Sequence, residues 1–201
     1  MSASPRPMQQ RSVETRAAVI LAAGVVFSKM SYAEARLKDI SEEAGISPGS
    51  MYFQFGNKQD IARAVLNEQK QRMEAALEGA FSNVASAIEG MLHLNLALAE
   101  LIASDPIVQG GIKLSTQPGT DLEQEAVPPY LEWFEVIREL LEAGIADGSV
   151  RSNIDVSETA ELLNEIFLGG QVLSGIEDAW VSLPARAARR NTFIRNYLQN
   201  I

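Results

Sequence analysis

The chain has 201 residues, 46% of them apolar and 21% charged, which is enough to bury a core in one large domain or two small ones. It contains no cysteine and one histidine, so a disulfide framework is excluded and almost no ligands remain for a zinc site. The net charge is −9, yet residues 1–60 carry seven basic and six acidic side chains. The acidic excess therefore lies beyond residue 60, and only the N-terminal part can approach DNA phosphates without repulsion.

The N-terminus and the apolar segments predict a cytoplasmic protein without a membrane span. No apolar run approaches the ~18–20 residues that a span needs, because polar residues such as Asn95, Glu100 and Asn164 interrupt the longest candidates. Residues 1–11 are polar and contain proline, which predicts a flexible arm rather than a signal peptide. We expect no cofactor, no metal and no membrane partner.

Apolar residues recur at helical spacing along most of the chain, and no strand pattern or repeat interrupts them. The fold class is therefore predicted to be all-α, with roughly nine helices. Ser12 is a candidate cap for the first helix, 12–29, and Ser157 for a later one, 157–174. The other predicted helices are a short one near 37–44, a second short one from 48, and longer ones at 58–79, 84–103, 107–115, 128–146 and from 184 onwards. The acidic segment 117–127 is predicted to be a loop.

Two short helices joined by a tight turn lie within roughly residues 37–56. Gly45 suits the stop of the first helix, while Ser47 can cap the second and Pro48 can occupy its first position. This composition is typical of a helix-turn-helix, although a plain three-helix subdomain with a capped helix has the same spacing. In the first case, Gln54 can pair with a base edge and Tyr52 can reach a phosphate.

The run from Ala44 to Phe55, followed by Asn57-Lys58, resembles the DNA-binding domain of the TetR family of bacterial repressors. Residues 16–66 follow the pattern of that family without gaps. Two positions depart from it: Ala35 lies where the family usually has a Thr or Ser cap, and Pro48 replaces a frequent lysine. The resemblance implies DNA contacts from the start of the second short helix and from flanking basic residues. They are Arg36, Lys38, Ser47, Pro48, Gly49, Ser50, Tyr52, Gln54 and Lys58.

Segments 92–116, 129–139 and 167–175 resemble the γ-butyrolactone receptors of actinobacteria, chiefly through residues 105–116 and the Tyr-Leu-Glu-Trp sequence ending at Trp133. The resemblance implies that Trp133 lies at a ligand pocket, where it offers a flat apolar face. Ordinary core packing is the alternative for Trp133 and for the residues that could line the same cavity. They are Leu92, Leu96, Ile112, Thr116 and Phe167.

The last two predicted helices are candidates for a two-fold dimer interface, because glycines between 169 and 175 permit close approach. Their apolar residues could instead pack only within one protomer. The predicted seam consists of Leu162, Leu163, Ile166, Phe193, Ile194 and Leu198.

These features together predict an N-terminal arm and helix-turn-helix domain over residues 1–57, and a helical regulatory, ligand-binding and dimerisation domain over 58–201. The predicted function is a homodimeric repressor that binds a palindromic operator in double-stranded DNA. A small apolar effector, such as a γ-butyrolactone, would release it. A DNA-binding regulator without a ligand is the first alternative. An enzyme is the second, although the sequence has no phosphate loop and no carboxylates clustered at metal spacing.

Overall fold

A computed structural model describes residues 7–116 and 128–199 of the chain. All regular secondary structure in these ranges is helical, which confirms the predicted all-α class. The predicted loop 117–127 lies outside the described residues. The helices are α1 (Pro7–Lys29), α2 (Leu37–Glu43), α3 (Pro48–Gln54), α4 (Lys58–Ala80), α5 (Ala87–Ser104), α6 (Pro106–Thr116), α7 (Pro128–Ala146), α8 (Val156–Asp178) and α9 (Leu183–Gln199).

Several helix ends differ from the predicted ones. Helix α1 begins before Ser12, so Ser12 lies inside the helix and does not cap it. Helix α8 is capped by Asp155, whose side chain accepts the main-chain N–H of Glu158 at 2.9 Å, and the predicted cap Ser157 lies in its first turn. The same helix continues past its glycines to Asp178, and the capping residue after it, Ala179, adopts the left-handed conformation (φ 53°) that glycine usually supplies.

The described residues form two compact units. The first takes in the chain up to Gln71 together with residues 105–116. In this unit, α1 and α6 approach so closely that a Cβ atom on Gly110 would lie 2.6 Å from the carbonyl oxygen of Gly24. The unit has one apolar core, which includes Val19, Phe27, Ile40, Met51, Ile61, Val65, Ile107 and Leu114. The functional boundary after residue 57 stays a prediction.

The second unit comprises residues 72–104 and the described part of the chain from 128 onwards. One of its apolar clusters joins α5, α7, α8 and α9 around Leu92, Leu141, Leu163 and Leu198. Another contains Trp133. Trp180, which the sequence places in a loop covering the surface, is instead buried. Its ring packs against Gly175, an approach that only a residue without a side chain permits.

Helix α5 corrects the expectation that no segment is apolar enough to cross a membrane. Its 18 residues have a mean hydropathy of 1.2, and by length and composition alone they pass that test. A core helix passes the same test, and 44% of this window is buried inside the protein. Residues such as Ile88, Leu92 and Leu98 account for this burial.

Candidate nucleic-acid interface and ligand pocket

Helix α3 is anchored to the core of the first unit by one face and begins with the predicted cap. Met51 and Phe55, four residues apart, are both buried. The side chain of Ser47 accepts the main-chain N–H of Ser50 at 3.1 Å, and Pro48 occupies the first helical position. The start of α3 is therefore fixed in place while its side chains remain accessible.

The opposite face of α3 carries two exposed aromatic rings. All residues from Ser47 to Ser50 are exposed, Tyr52 is 57% exposed, and Phe53 is 83% exposed. Tyr52 is one of the predicted DNA contacts, and Phe53 is not. Helical spacing contains the missing signal, because Phe53 lies about 200° around the helix from the buried Met51.

The end of α3 is held by side chains from α1. The Nε2 atom of Gln54 donates to the hydroxyl of Ser12 at 3.1 Å, so the residue predicted as a helix cap binds α3 instead. Arg16 donates to the main-chain carbonyl of Gln54 at 3.3 Å, and its guanidinium lies 4.1 Å from the centre of the Phe55 ring. These contacts fix the orientation of the last turn of α3 relative to α1.

Lys58, at the first position of α4, is bound to main-chain oxygens. Its ammonium donates to the carbonyls of Tyr32 at 2.6 Å and Ala35 at 2.9 Å, and it lies 4.3 Å from the centre of the Tyr32 ring. Burial lowers the pKa of Lys58. Since an ammonium has three N–H groups, one remains beyond the two carbonyl bonds.

The start of α2 has a cap in spite of Ala35. The carboxylate of Asp39 accepts the main-chain N–H of Arg36 at 2.8 Å, so the reverse half of a capping box satisfies a donor at this terminus. The side chains of Arg36 and Lys38 are both exposed, and the ammonium of Lys38 lies 3.5 Å from the carboxylate of Glu42. Both basic groups are therefore accessible from solvent.

The structure brings together two of the six predicted ligand residues. Trp133 and Phe167 pack in one apolar cluster of the second unit, with Leu94 and Leu98. Leu92 belongs to the other cluster of that unit, and Leu96 is half-buried. The guanidinium of Arg190 lies 5.7 Å from the centre of the Phe167 ring, a polar neighbour that the sequence analysis missed.

The other two predicted ligand residues, Ile112 and Thr116, lie on α6 and belong to the first unit. Ile112 is buried, while Thr116 is exposed and its hydroxyl donates to the carbonyl of Ile112 at 2.9 Å. The helix that carries them is the one that packs against α1 at Gly24.

The predicted dimer seam is only partly exposed. Leu163, Ile194 and Leu198 are buried within the second unit, which corrects their assignment to an intermolecular seam. Leu162 and Phe193 do face solvent. Further exposed apolar residues on α8 and α9, which the sequence analysis did not name, are Val172, Leu173, Ile176 and Tyr197.

Two family profiles cover most of the chain. Residues 19–65 match the profile described as bacterial regulatory proteins, tetR family. Residues 85–198 match the one described as tetracyclin repressor-like, C-terminal domain.

Individual relatives agree with these profiles. The A-factor receptor protein of Streptomyces griseus is 28% identical over 180 residues, which cover 90% of this chain and 62% of that receptor. The chain therefore spans about three fifths of that receptor's length. The crystal structure of tylp, a tetr regulator from Streptomyces fradiae, is 26% identical with a TM-score of 0.71, covering 94% of this chain and 88% of that one.

A crystal structure described as a gamma-butyrolactone receptor, an ArpA-like protein, is 25% identical with a TM-score of 0.66. It covers 90% of this chain and 100% of that one. These relatives are receptors and a regulator rather than enzymes, which confirms the prediction that the chain is not an enzyme.

Proposed function

Because the chain belongs to the TetR family of bacterial regulatory proteins, we propose that it is a ligand-responsive repressor. It binds a palindromic operator as a homodimer in the cytoplasm and leaves the DNA when a small apolar effector binds. The observation that carries this proposal is the geometry of α3, whose inner face is fixed by Met51 and Phe55 while Tyr52 and Phe53 project into solvent. A rigid helix with an open start is what insertion into a major groove requires.

The proposed contacts divide into those that position the protein and those that select the sequence. The start of α3, Ser47 to Ser50, offers main-chain N–H groups and small side chains to a phosphate and the groove. Tyr52 reaches a phosphate with its hydroxyl, and Lys58 gives its remaining N–H to the backbone. Arg36 and Lys38 add exposed positive charge.

Sequence selection in this proposal comes from the outward side of α3. Gln54 pairs with a base edge when its amide exchanges the Ser12 hydroxyl for DNA. Phe53, which is exposed and apolar, contacts the methyl group of a thymine.

The proposed effector site is the cluster around Trp133 and Phe167. Both rings offer flat apolar surface, and the indole N–H of Trp133 is a donor for a carbonyl oxygen. The chain is similar to an A-factor receptor and to a gamma-butyrolactone receptor, and this similarity supports a γ-butyrolactone as the class of effector. Leu92 and Leu96 of the same unit are proposed as further contacts, while Ile112 and Thr116 of the first unit keep their predicted ligand role.

Helix α6 is proposed to transmit a ligand contact at Ile112 or Thr116 to the DNA-binding helices of the same unit. It carries Ile112 and Thr116 and packs against α1, the helix that holds Gln54 through Ser12. A ligand that shifts α6 therefore displaces α1 and, with it, α3. In a dimer, such a displacement alters the spacing of two reading helices, which must match successive major grooves about 34–36 Å apart.

The test uses an operator selected by repeated binding and amplification of DNA from the source genome. A Trp180→Phe variant leaves Trp133 as the one tryptophan, whose fluorescence is excited selectively. A γ-butyrolactone series is then titrated with and without operator. We expect quenching of Trp133 and an apparent affinity that operator reduces by the same factor by which the lactone reduces operator affinity. Equal lactone affinities in both titrations would refute the ligand-controlled mechanism. Failure to enrich any DNA sequence would refute the repressor.

A further inference from the structure

Helix α8 presents one exposed face whose two halves differ in character. Glu158, Glu161 and Glu165 lie within one sector of the N-terminal half at helical spacing. In the C-terminal half, the same sector carries Val172, Leu173 and Ile176, of which Ile176 is 78% exposed. None of the three glutamates forms an ion pair with another described residue. The face is therefore acidic at its beginning and apolar at its end.

Helix α9 has an exposed face of the same design with the opposite charge. At its beginning Arg189 is exposed, and Arg186 and Arg190 are half-buried beside it. At its end lie Phe193, which is 63% exposed, and Tyr197. The three arginines, with residues of α8, line a groove of about 380 Å³.

The charges of these three arginines are not all satisfied. Arg186 pairs with Glu177, whereas Arg189 is exposed and has no carboxylate partner among the described residues. Arg190 donates one N–H to the carbonyl of Ile166 at 2.7 Å, while its Nε and Nη2 atoms are buried without a described partner. Three guanidinium groups thus lie close together, and among the described residues only one of them, that of Arg186, is paired with a carboxylate.

Within one chain the two faces do not complement each other, because α8 and α9 run antiparallel. Arg186 contacts Glu177 near the end of α8, and Arg190 contacts Ile166 in its middle. Leu198 of α9 belongs to the same apolar cluster as Ala160, which lies near the beginning of α8. The basic half of α9 is therefore beside the apolar half of α8, and the apolar half of α9 is beside the acidic half.

A second copy of the chain removes this mismatch if the two-fold axis is perpendicular to the two helices. Such an axis turns the second copy end over end, so its α8 runs in the opposite direction to α8 of the first copy. The second copy's Glu158, Glu161 and Glu165 then face the arginines of α9, and its Val172, Leu173 and Ile176 face Phe193 and Tyr197. An axis parallel to the helices would instead oppose each basic half to an apolar half.

The last two helices are the predicted dimer interface, and we infer that the register of the two copies there is set by two symmetric sets of ion pairs between the start of α8 and the start of α9. The inference rests on the homodimer of the proposed function and specifies which residues of the two copies meet. The groove lined by Arg186, Arg189 and Arg190 is completed by carboxylates of the second copy.

Charge reversal on the full chain tests this register. One variant carries Glu161→Arg with Glu165→Arg, and the other carries Arg189→Glu. Each alone repels its own copy at two sites, so we expect the dimer dissociation constant to rise at least about tenfold in sedimentation experiments. Mixed together, the two variants restore attraction at both sites of the heterodimer. Native mass spectrometry should then show more heterodimer than random pairing allows, and an exposed control, Glu100→Arg on α5, should behave as the unchanged chain.

Chemical cross-linking gives a second readout that does not depend on the stability of the variants. The chain has no cysteine, so Glu161→Cys and Arg189→Cys can be joined by a short bifunctional maleimide only where they meet. We expect a covalent dimer in the mixture and little in either variant alone.

Three results separate failure of the register from failure of the dimer. An unchanged chain that stays monomeric at all concentrations, with and without operator, would overturn both the proposed homodimer and the inference. A dimeric chain whose two variants pair at random, or cross-link as well alone as in the mixture, would overturn the register only. Dimers that form only when another protein is added would assign the face to a different partner and overturn it too.

Discussion

Gly110→Ala is expected to destabilise the first unit and to weaken operator binding, although alanine normally stabilises a helix. A Cβ atom at this position would lie 2.6 Å from the carbonyl oxygen of Gly24 and 3.0 Å from its Cα. Both atoms belong to the main chain of α1, so no side chain can move aside and the two helices must separate. Insertion of a methyl group into a packed interface costs about 1–3 kcal/mol, and the helix propensity of alanine returns about 1 kcal/mol. We therefore expect a net loss of up to about 2 kcal/mol.

The matched control is Gly79→Ala, also in a helix, where the added Cβ would have no neighbour within 4 Å. This variant is expected to gain up to about 1 kcal/mol. Urea unfolding measures both, and hydrogen exchange of the α1 and α6 amides locates the effect. Gly24→Ala perturbs the same crossing, since its Cβ would lie 2.7 Å from Cα of Ile107, so the double variant should cost less than the sum of the two. If Gly110→Ala is as stable as Gly79→Ala, the close crossing of α1 and α6 is wrong.

Three further variants test the reading helix and the second unit. Gln54→Ala should relax preference at one operator position, and Ser12→Ala should affect the same position because it frees the Gln54 amide; uniform loss across single-base operator variants would contradict base reading. Lys58→Met leaves two carbonyls without a partner, so the free energy of unfolding should fall by about 1–3 kcal/mol. The number of phosphate contacts derived from the salt dependence of DNA binding should fall by about one. An unchanged salt dependence would show that Lys58 has only a structural role. A hydrogen bond from Ser149 and, to a smaller extent, main-chain N–H groups lower the pKa of Asp147. The ionised carboxylate therefore stabilises the fold fully at a pH above its ordinary pKa, and this stabilisation is lost as the pH falls through the lowered pKa. Asp147→Asn should flatten the acid side of the thermal stability profile, and an unaltered profile would contradict this assignment.

The predictions that succeeded depend on residues close together in the chain. Ser47 and Pro48 specify the start of α3 because capping and the fixed φ of proline act over three or four residues. The cap of α2 was also within reach, since Asp39 lies three residues after Arg36, the spacing of a capping box. The expected cap was a Ser or Thr at position 35, and this expectation overlooks the carboxylate of Asp39.

The features that were missed depend on contacts between distant segments. Ser12 and Gln54 are 42 positions apart, and Lys58 binds carbonyls 26 and 23 positions earlier, so no local pattern indicates either contact. Periodicity placed Leu198 on an apolar face but could not tell whether that face meets the same chain or a second one. Burial decides this point, because a residue already enclosed in its own unit has no surface left for a partner.

The acidic excess beyond residue 60 acquires a role if α8 and α9 pair as inferred, and this changes how salt effects must be interpreted. Salt weakens the contact of Arg36 and Lys38 with phosphates, and it also weakens exposed ion pairs between two copies. At protein concentrations near the dimer dissociation constant, the measured slope for operator binding then contains both effects and overstates the number of phosphate contacts. The slope should fall when the protein is cross-linked through Glu161→Cys and Arg189→Cys, because only the DNA contacts remain sensitive to salt. A slope that is the same before and after cross-linking would show that the ion pairs between copies contribute nothing to dimer stability.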